Sequence, residues 1–247
     1  MPTLTPPGSS PRGPAPTEPV PAAGAPSLSS AARDVLTRAL LPGVLVWVIV
    51  VALGMLVMGP LGEIQAEEAV TDGFERMRTP LLNTVTHIWS SVDDTWPTIL
   101  SAIAYGLIIL AVTRRWWWGV VPVLAITLES SIFVIATHVV GRPRPDVSRL
   151  DEAPPTSSFP SGHTAAAFAL YLSIALVAQR STNPWVRRGF LALAVVLPTG
   201  VGVSRLYRGM HHLSDVIVGA LLGIWCAYAA AGAIRAPEDH RGPSEPR

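Results

Sequence analysis

The chain has 247 residues, a formal net charge of +1 from 18 basic and 17 acidic groups, and 14% charged against 49% apolar side chains. Soluble domains carry roughly 25% charged residues, so this composition, with a mean hydropathy of +0.41, argues against a cytosolic enzyme, a disordered chain and a nucleic-acid binder, which needs a basic face. A single cysteine, Cys226, excludes an intramolecular disulfide framework and a cysteine-based zinc site.

All 18 basic residues are arginine, which rules out Schiff-base chemistry and any lysine phosphate clamp. In chain order, residues 1–40 form a separate zone. Nine prolines fall within residues 1–26, among Gly, Ala, Ser and Thr, a mixture that cannot build a packed core. The zone reads as a disordered cytoplasmic tail whose end, residues 31–40, forms a short helix leading into the membrane. No apolar core follows a basic start early enough for a cleavable signal peptide. Six apolar stretches follow, at 41–61, 96–112, 119–140, 164–179, 185–203 and 216–234. Most approach the ~20 residues that span a ~30 Å hydrocarbon core. Pro198, Gly200 and Gly202 predict a kink in the fifth. Residues 236–247 read as a short polar tail. The expectation is an all-α, polytopic membrane protein whose domain covers residues 41–235 as a six-transmembrane-helix bundle.

Arginine placement predicts orientation. With both termini in the cytoplasm, 11 arginines fall inside, including Arg114, Arg115, Arg187 and Arg188, and seven outside. The outer loop at 62–95 is acidic, with Glu63, Glu67, Glu68, Asp72, Glu75, Asp93 and Asp94. The outer arginines of the last two loops, Arg142, Arg144, Arg149, Arg205 and Arg208, run against this rule and need a chemical reason.

Three polar groups supply one, and all emerge on the outer side: Gly141-Arg142-Pro143-Arg144-Pro145, Phe159-Pro160-Ser161-Gly162-His163, and Ser204-Arg205 followed by His211 and Asp215. Arg144 and Arg205 carry planar forks suited to phosphate oxygens. Ser161 sits at a helix start, where a hydroxyl and free N–H groups meet an anion. His211 and Asp215 are four apart and share a helical face; a carboxylate holding one imidazole nitrogen frees the other as a nucleophile. His163 can protonate a leaving oxygen. The set describes phosphoryl transfer that requires no metal and no cofactor.

Arg144-Pro145, Pro160-Ser161-Gly162-His163 and Ser204-Arg205-x5-His211-x3-Asp215 resemble the three signature motifs of the type 2 phosphatidic acid phosphatase (PAP2) superfamily, over residues 74–234. The resemblance implies a six-helix membrane phosphatase acting on a lipid phosphate or diphosphate, such as phosphatidic acid, phosphatidylglycerophosphate or a polyprenyl diphosphate. It implies that His211 is phosphorylated, Asp215 orients it, and His163 protonates the leaving group, while Arg144, Ser161, Gly162 and Arg205 hold the phosphoryl oxygens. One position departs: the family's first motif begins with a lysine where this chain has Thr137. Arg142 is expected to supply the missing charge, and His138 is either interfacial or a partial substitute. The rival readings are a phosphotransferase with a lipid or sugar acceptor, a vanadate-dependent haloperoxidase, and a non-catalytic lipid transporter or scaffold. Six apolar segments and small size count against the haloperoxidase, and an intact nucleophile–acid pair against the transporter.

The remaining polar and glycine residues read as structural. His212 lacks the spacing to Asp215 and is expected to fill the interface; His87 and His240 are expected to be solvated or interfacial. Asp146, Asp151 and Glu152 read as a solvated loop, and Gly200-Val201-Gly202 is not a dinucleotide loop. Glu129, mid-segment beside Ser130 and Ser131, is expected to face the bundle interior, too deep to reach a phosphate at the rim. Gly219 and Gly223 predict close helix packing within the bundle.

Overall fold

The structure, a computed structural model, describes residues 25–59 and 65–234. Residues 1–24 of the expected tail, the polar tail at 236–247, His240 and Glu63 lie outside the described residues. Helix α1 runs Leu28–Met58, passing through a π-turn at Leu36–Leu40. Residues 28–30, assigned by sequence to the irregular tail, therefore already belong to this helix, capped by the Ser27 hydroxyl, which accepts from the Ser30 N–H. Then come α2 (Gln65–Arg76), α3 (Pro80–Ser91), α4 (Thr95–Thr113), α5 (Trp116–Val140), α6 (Gly162–Ala178), α7 (Pro184–Tyr207) and α8 (Leu213–Ala233). The described residues contain no strand.

Five of these helices, α1, α4, α5, α7 and α8, are long and apolar enough to cross a membrane. The expected count of six is not reached by that measure, because α6 has 17 residues. The acidic stretch read as an outer loop contains two helices instead. Thr79 caps α3 by accepting from the Leu82 N–H, and Pro80 follows at the first helical position. α7 runs uninterrupted through Pro198, and beside it the Trp89 Nε1–H of α3 donates to the Leu197 carbonyl at 3.1 Å.

The core lies where α5, α6 and α8 meet. Ala125, Leu128 and Ile132 of α5 pack with Ala165, Ala169, Leu170 and Ile174 of α6 and with Leu222, Cys226 and Ala230 of α8. Small residues bring the backbones together: a Cβ on Gly219 would lie 2.5 Å from the Ser161 carbonyl oxygen, and one on Gly223 2.2 Å from that of Ala165. Leu45, Val48 and Ile49 of α1, Leu100, Ile103 and Leu107 of α4, and Leu191 and Val195 of α7 remain exposed. Such apolar outer faces suit hydrocarbon and would be a liability in water. At one end of the bundle the guanidinium groups of Arg115 and Arg180 lie over the Trp118 ring, 4.5 and 5.0 Å from its centroid. The three signature groups lie at the other end.

Candidate active site

A cavity of about 280 Å³ opens between α4, α5, α6 and α7, toward the end of the bundle away from Trp118. Arg144, Gly162, His163, Arg205 and His211 all line it, so residues from all three motifs, up to 67 positions apart, share one wall. Glycine is needed at Gly162 because a Cβ there would sit 2.8 Å from the Phe133 ring.

His211 is buried, and its Nδ1 lies 2.7 Å from the Ser158 carbonyl oxygen but 3.7 Å from Asp215 Oδ2. A carbonyl only accepts, so Nδ1 carries the hydrogen and Nε2 keeps its lone pair. The four-residue spacing assigns this orienting role to Asp215 alone; the shorter partner is a backbone carbonyl. Burial, followed by the nearby guanidinium groups of Arg205 and Arg144, outweighs Asp215 and lowers the His211 pKa. The ring is therefore neutral at pH 7, as a nucleophile must be.

Asp215 has no exposed surface and is fully engaged. Its Oδ2 accepts from the His212 N–H at 2.8 Å and lies 3.3 Å from His212 Nδ1. His212, read from sequence as a filler, thus joins Asp215 in capping α8.

His163 Nε2 lies 3.2 Å from Asp94 Oδ1. A carboxylate only accepts, so Nε2 donates to Asp94; burial lowers the His163 pKa, and the bond to Asp94 opposes that shift by favouring the charged ring a general acid needs. The hydrogen bond from His163 holds the Asp94 carboxyl below the usual carboxylate range.

The cations divide. Arg144 lines the cavity and donates through Nη1 to the Met210 carbonyl at 2.7 Å. Arg205 donates to Ser90 Oγ at 2.8 Å and to Asp151 Oδ2 at 3.2 Å, while its buried Nε–H has no acceptor among the described residues. A phosphoryl oxygen satisfies such a donor. Ser161 lies buried behind the cavity wall, its hydroxyl bonded to that of Thr164 at 2.9 Å. Arg142, expected as a third phosphate cation, points elsewhere: its guanidinium pairs with Glu67 Oε2 at 2.8 Å and Asp215 Oδ1 at 2.5 Å. Thr137 is buried, and His138 is exposed, its Nδ1 2.7 Å from the Val134 carbonyl.

Sequence reasoning misses four carboxylates here. Asp94 holds His163, Glu67 holds Arg142, and Asp151 forms a two-point pair with Arg208 while touching Arg205. Asp151 is therefore no solvated loop residue. Asp93, with Oδ1 accepting from the Thr98 hydroxyl at 2.9 Å, lines the cavity beside Glu129, whose Oε2 accepts from Ser130 at 3.2 Å. Glu129 does face the interior, yet it borders the same cavity as His211. Burial pushes the Asp93 carboxyl well above its usual range. The apolar spacing of Leu81, Leu82, Val85, Ile88 and Trp89 behind Thr79-Pro80 is the available sign that this acidic stretch is helical.

The PAP2 superfamily profile matches residues 118–237. Phosphatidylglycerophosphatase B of Bacillus subtilis (strain 168) is 30% identical over 173 residues, which cover 68% of this chain and 82% of that protein. Decaprenylphosphoryl-5-phosphoribose phosphatase of Mycobacterium tuberculosis (strain CDC 1551 / Oshkosh) is 34% identical over 132 residues, 52% of this chain and 64% of its own length. In fold, the crystal structure of the transmembrane PAP2 type phosphatidylglycerolphosphate phosphatase from Bacillus subtilis superimposes with a TM-score of 0.66 at 23% identity, over 79% of this chain and 96% of that one. The chain belongs to the PAP2 superfamily. It is an integral membrane phosphatase of the PAP2 lipid phosphatase type.

Proposed function

We propose that the protein hydrolyses the terminal phosphate of a lipid phosphate or diphosphate through a phosphohistidine on His211, at the extracytoplasmic face of the plasma membrane. The observation that carries this reading is the pairing of a neutral His211, its Nε2 lone pair free, with His163, held by Asp94, on one cavity that also holds Arg144 and Arg205. His211 Nε2 attacks phosphorus, and the bond to the lipid oxygen breaks as His163, in its imidazolium form, passes that oxygen a proton. Water then attacks the phosphohistidine, giving its proton to the now neutral His163 and releasing phosphate. Arg144 and Arg205 take the charge that accumulates on the equatorial oxygens.

Ile99, Ile126 and Phe133 form the apolar part of the cavity wall on the membrane-spanning α4 and α5. That suits a substrate whose tails stay in hydrocarbon while its phosphate reaches the histidines. The named relatives act on phosphatidylglycerophosphate and decaprenylphosphoryl-5-phosphoribose, which supports a lipid-borne phosphate ester here. Phosphatidic acid, phosphatidylglycerophosphate and polyprenyl diphosphates are the substrates to try, each with and without an acceptor alcohol to separate hydrolysis from transfer. Purified protein should release free phosphate from at least one of them, and His211→Ala should abolish both release and trapping of labelled phosphate on the protein. Full activity in that variant would overturn the mechanism.

A further inference from the structure

We propose that Glu67 and Arg142 are positioning residues for the phosphoryl-transfer site, acting on His211 through Asp215, and that Arg142 does not bind the substrate phosphate. This deepens the proposed function and rests on His211 as its nucleophile. The guanidinium of Arg142 is 7% exposed and has its ligands already. Nη1 donates to Asp215 Oδ1 at 2.5 Å and to Ser214 Oγ at 2.8 Å, and Nη2 donates to Glu67 Oε2 at 2.8 Å. The other Glu67 oxygen accepts from the Ser214 N–H at 2.6 Å, in the first turn of α8. Glu67, Arg142, Asp215 and that turn therefore close a ring whose outlet toward the chemistry is the second oxygen of Asp215, 3.7 Å from His211 Nδ1. Burial opposes a charge on Glu67, but the bonds from Ser214 and Arg142 outweigh it and hold the carboxyl below its usual range.

The ring's charge is what the reaction uses. Attack by Nε2 leaves positive charge on the imidazole, which a full negative charge on Asp215 stabilises. Arg142 alone would draw on that charge; Glu67, bound to its far nitrogen, offsets it, so two carboxylates flank one cation. Without Arg142, Glu67 and Asp215 are buried carboxylates with no guanidinium between them. One of them then takes up a proton or turns away, because like charges in a dry site do not both persist. Removing Glu67 as well relieves that conflict.

The test uses the full-length protein in detergent with its best lipid phosphate, reading kcat, KM and the Ki of inorganic phosphate. Glu67→Gln should lower kcat about threefold or more, and Arg142→Gln about tenfold or more, both with Ki within about twofold of wild type. Adding Glu67→Gln to Arg142→Gln should recover kcat about threefold, a rescue that simple loss of structure does not produce. A Ki that rises about tenfold in Arg142→Gln would make Arg142 a phosphate cation. A double variant no faster than Arg142→Gln, or an unchanged kcat in Glu67→Gln, would also overturn the proposal. Should Arg142→Gln fail to fold, the Glu67→Gln arm decides alone. An inactive wild type or an active His211→Ala would sink the underlying reading and this inference with it, whereas the failures just named leave that reading standing.

Discussion

Asp94 is placed to tune His163 in its proposed role as general acid. It stands at the N-cap position of α4 without a side-chain capping bond, and its carboxylate is the hydrogen-bond partner of His163 Nε2. Protonating an alkoxide leaving group contributes strongly to rate, whereas a phenolate that leaves readily needs little help. Asp94→Asn should therefore slow hydrolysis of a lipid phosphate about tenfold and of p-nitrophenyl phosphate less than about threefold. Equal losses on the two substrates would confine Asp94 to a structural role. That His211, His163, Arg144 and Arg205 gather on one cavity is legible in the sequence because each lies in a short motif. Asp94, Glu67 and Asp151 are not, since their partners are 69, 75 and 57 positions away. Nothing local distinguishes a carboxylate on such a contact from a solvated one. Arg142 misleads for the same reason: its distance to Arg144 along the chain is two residues, yet the guanidinium turns away, toward α2 and α8.

Among the elements, the contact between α6 and α8 has little tolerance, because the atoms approached are backbone carbonyls. It brings the His163 helix against the Asp215 helix, and Gly219 and Gly223 are what let the two backbones meet. Placing even a methyl group 2.2 Å from the Ala165 carbonyl forces the helices apart. Overpacking of this kind costs about 1–3 kcal/mol. Gly223→Ala should lower the unfolding temperature in detergent and reduce activity with it. Gly232, on the same helix, is the control, because a methyl group added there would meet nothing within 4 Å. Gly232→Ala should leave stability equal or raise it by about 0.5–1 kcal/mol. A Gly223→Ala protein as stable as the control would mean that the helices yield easily. This packing is readable from the small-residue spacing, and the long apolar helices from their composition. α2 and α3 are harder to read, because two 12-residue helices carrying acidic groups look like a loop when only membrane-length apolar runs are sought.

For the molecule as a whole, the arginine bias and the cluster of Trp118, Arg115 and Arg180 at one end argue for a cytoplasmic face there and an extracytoplasmic site at the other. Labelling tests the orientation directly. With buried Cys226 replaced by alanine, a cysteine at exposed Ala153 should react with an impermeant thiol reagent in intact cells. One at exposed Thr182 should react only after lysis. The reverse pattern would put the chemistry in the cytoplasm.

The length of α6 bears on how a substrate meets the site. Its 17 residues rise about 26 Å, against a hydrocarbon thickness of about 30 Å. With its far end level with one interface, the end that presents Gly162 and His163 stops a few ångströms short of the opposite head-group plane. Thinning of the bilayer around α6 makes up such a deficit at modest cost. On the proposed function, the phosphate of a neighbouring lipid would meet the histidines by sinking slightly, with its chains still anchored, rather than by leaving the leaflet.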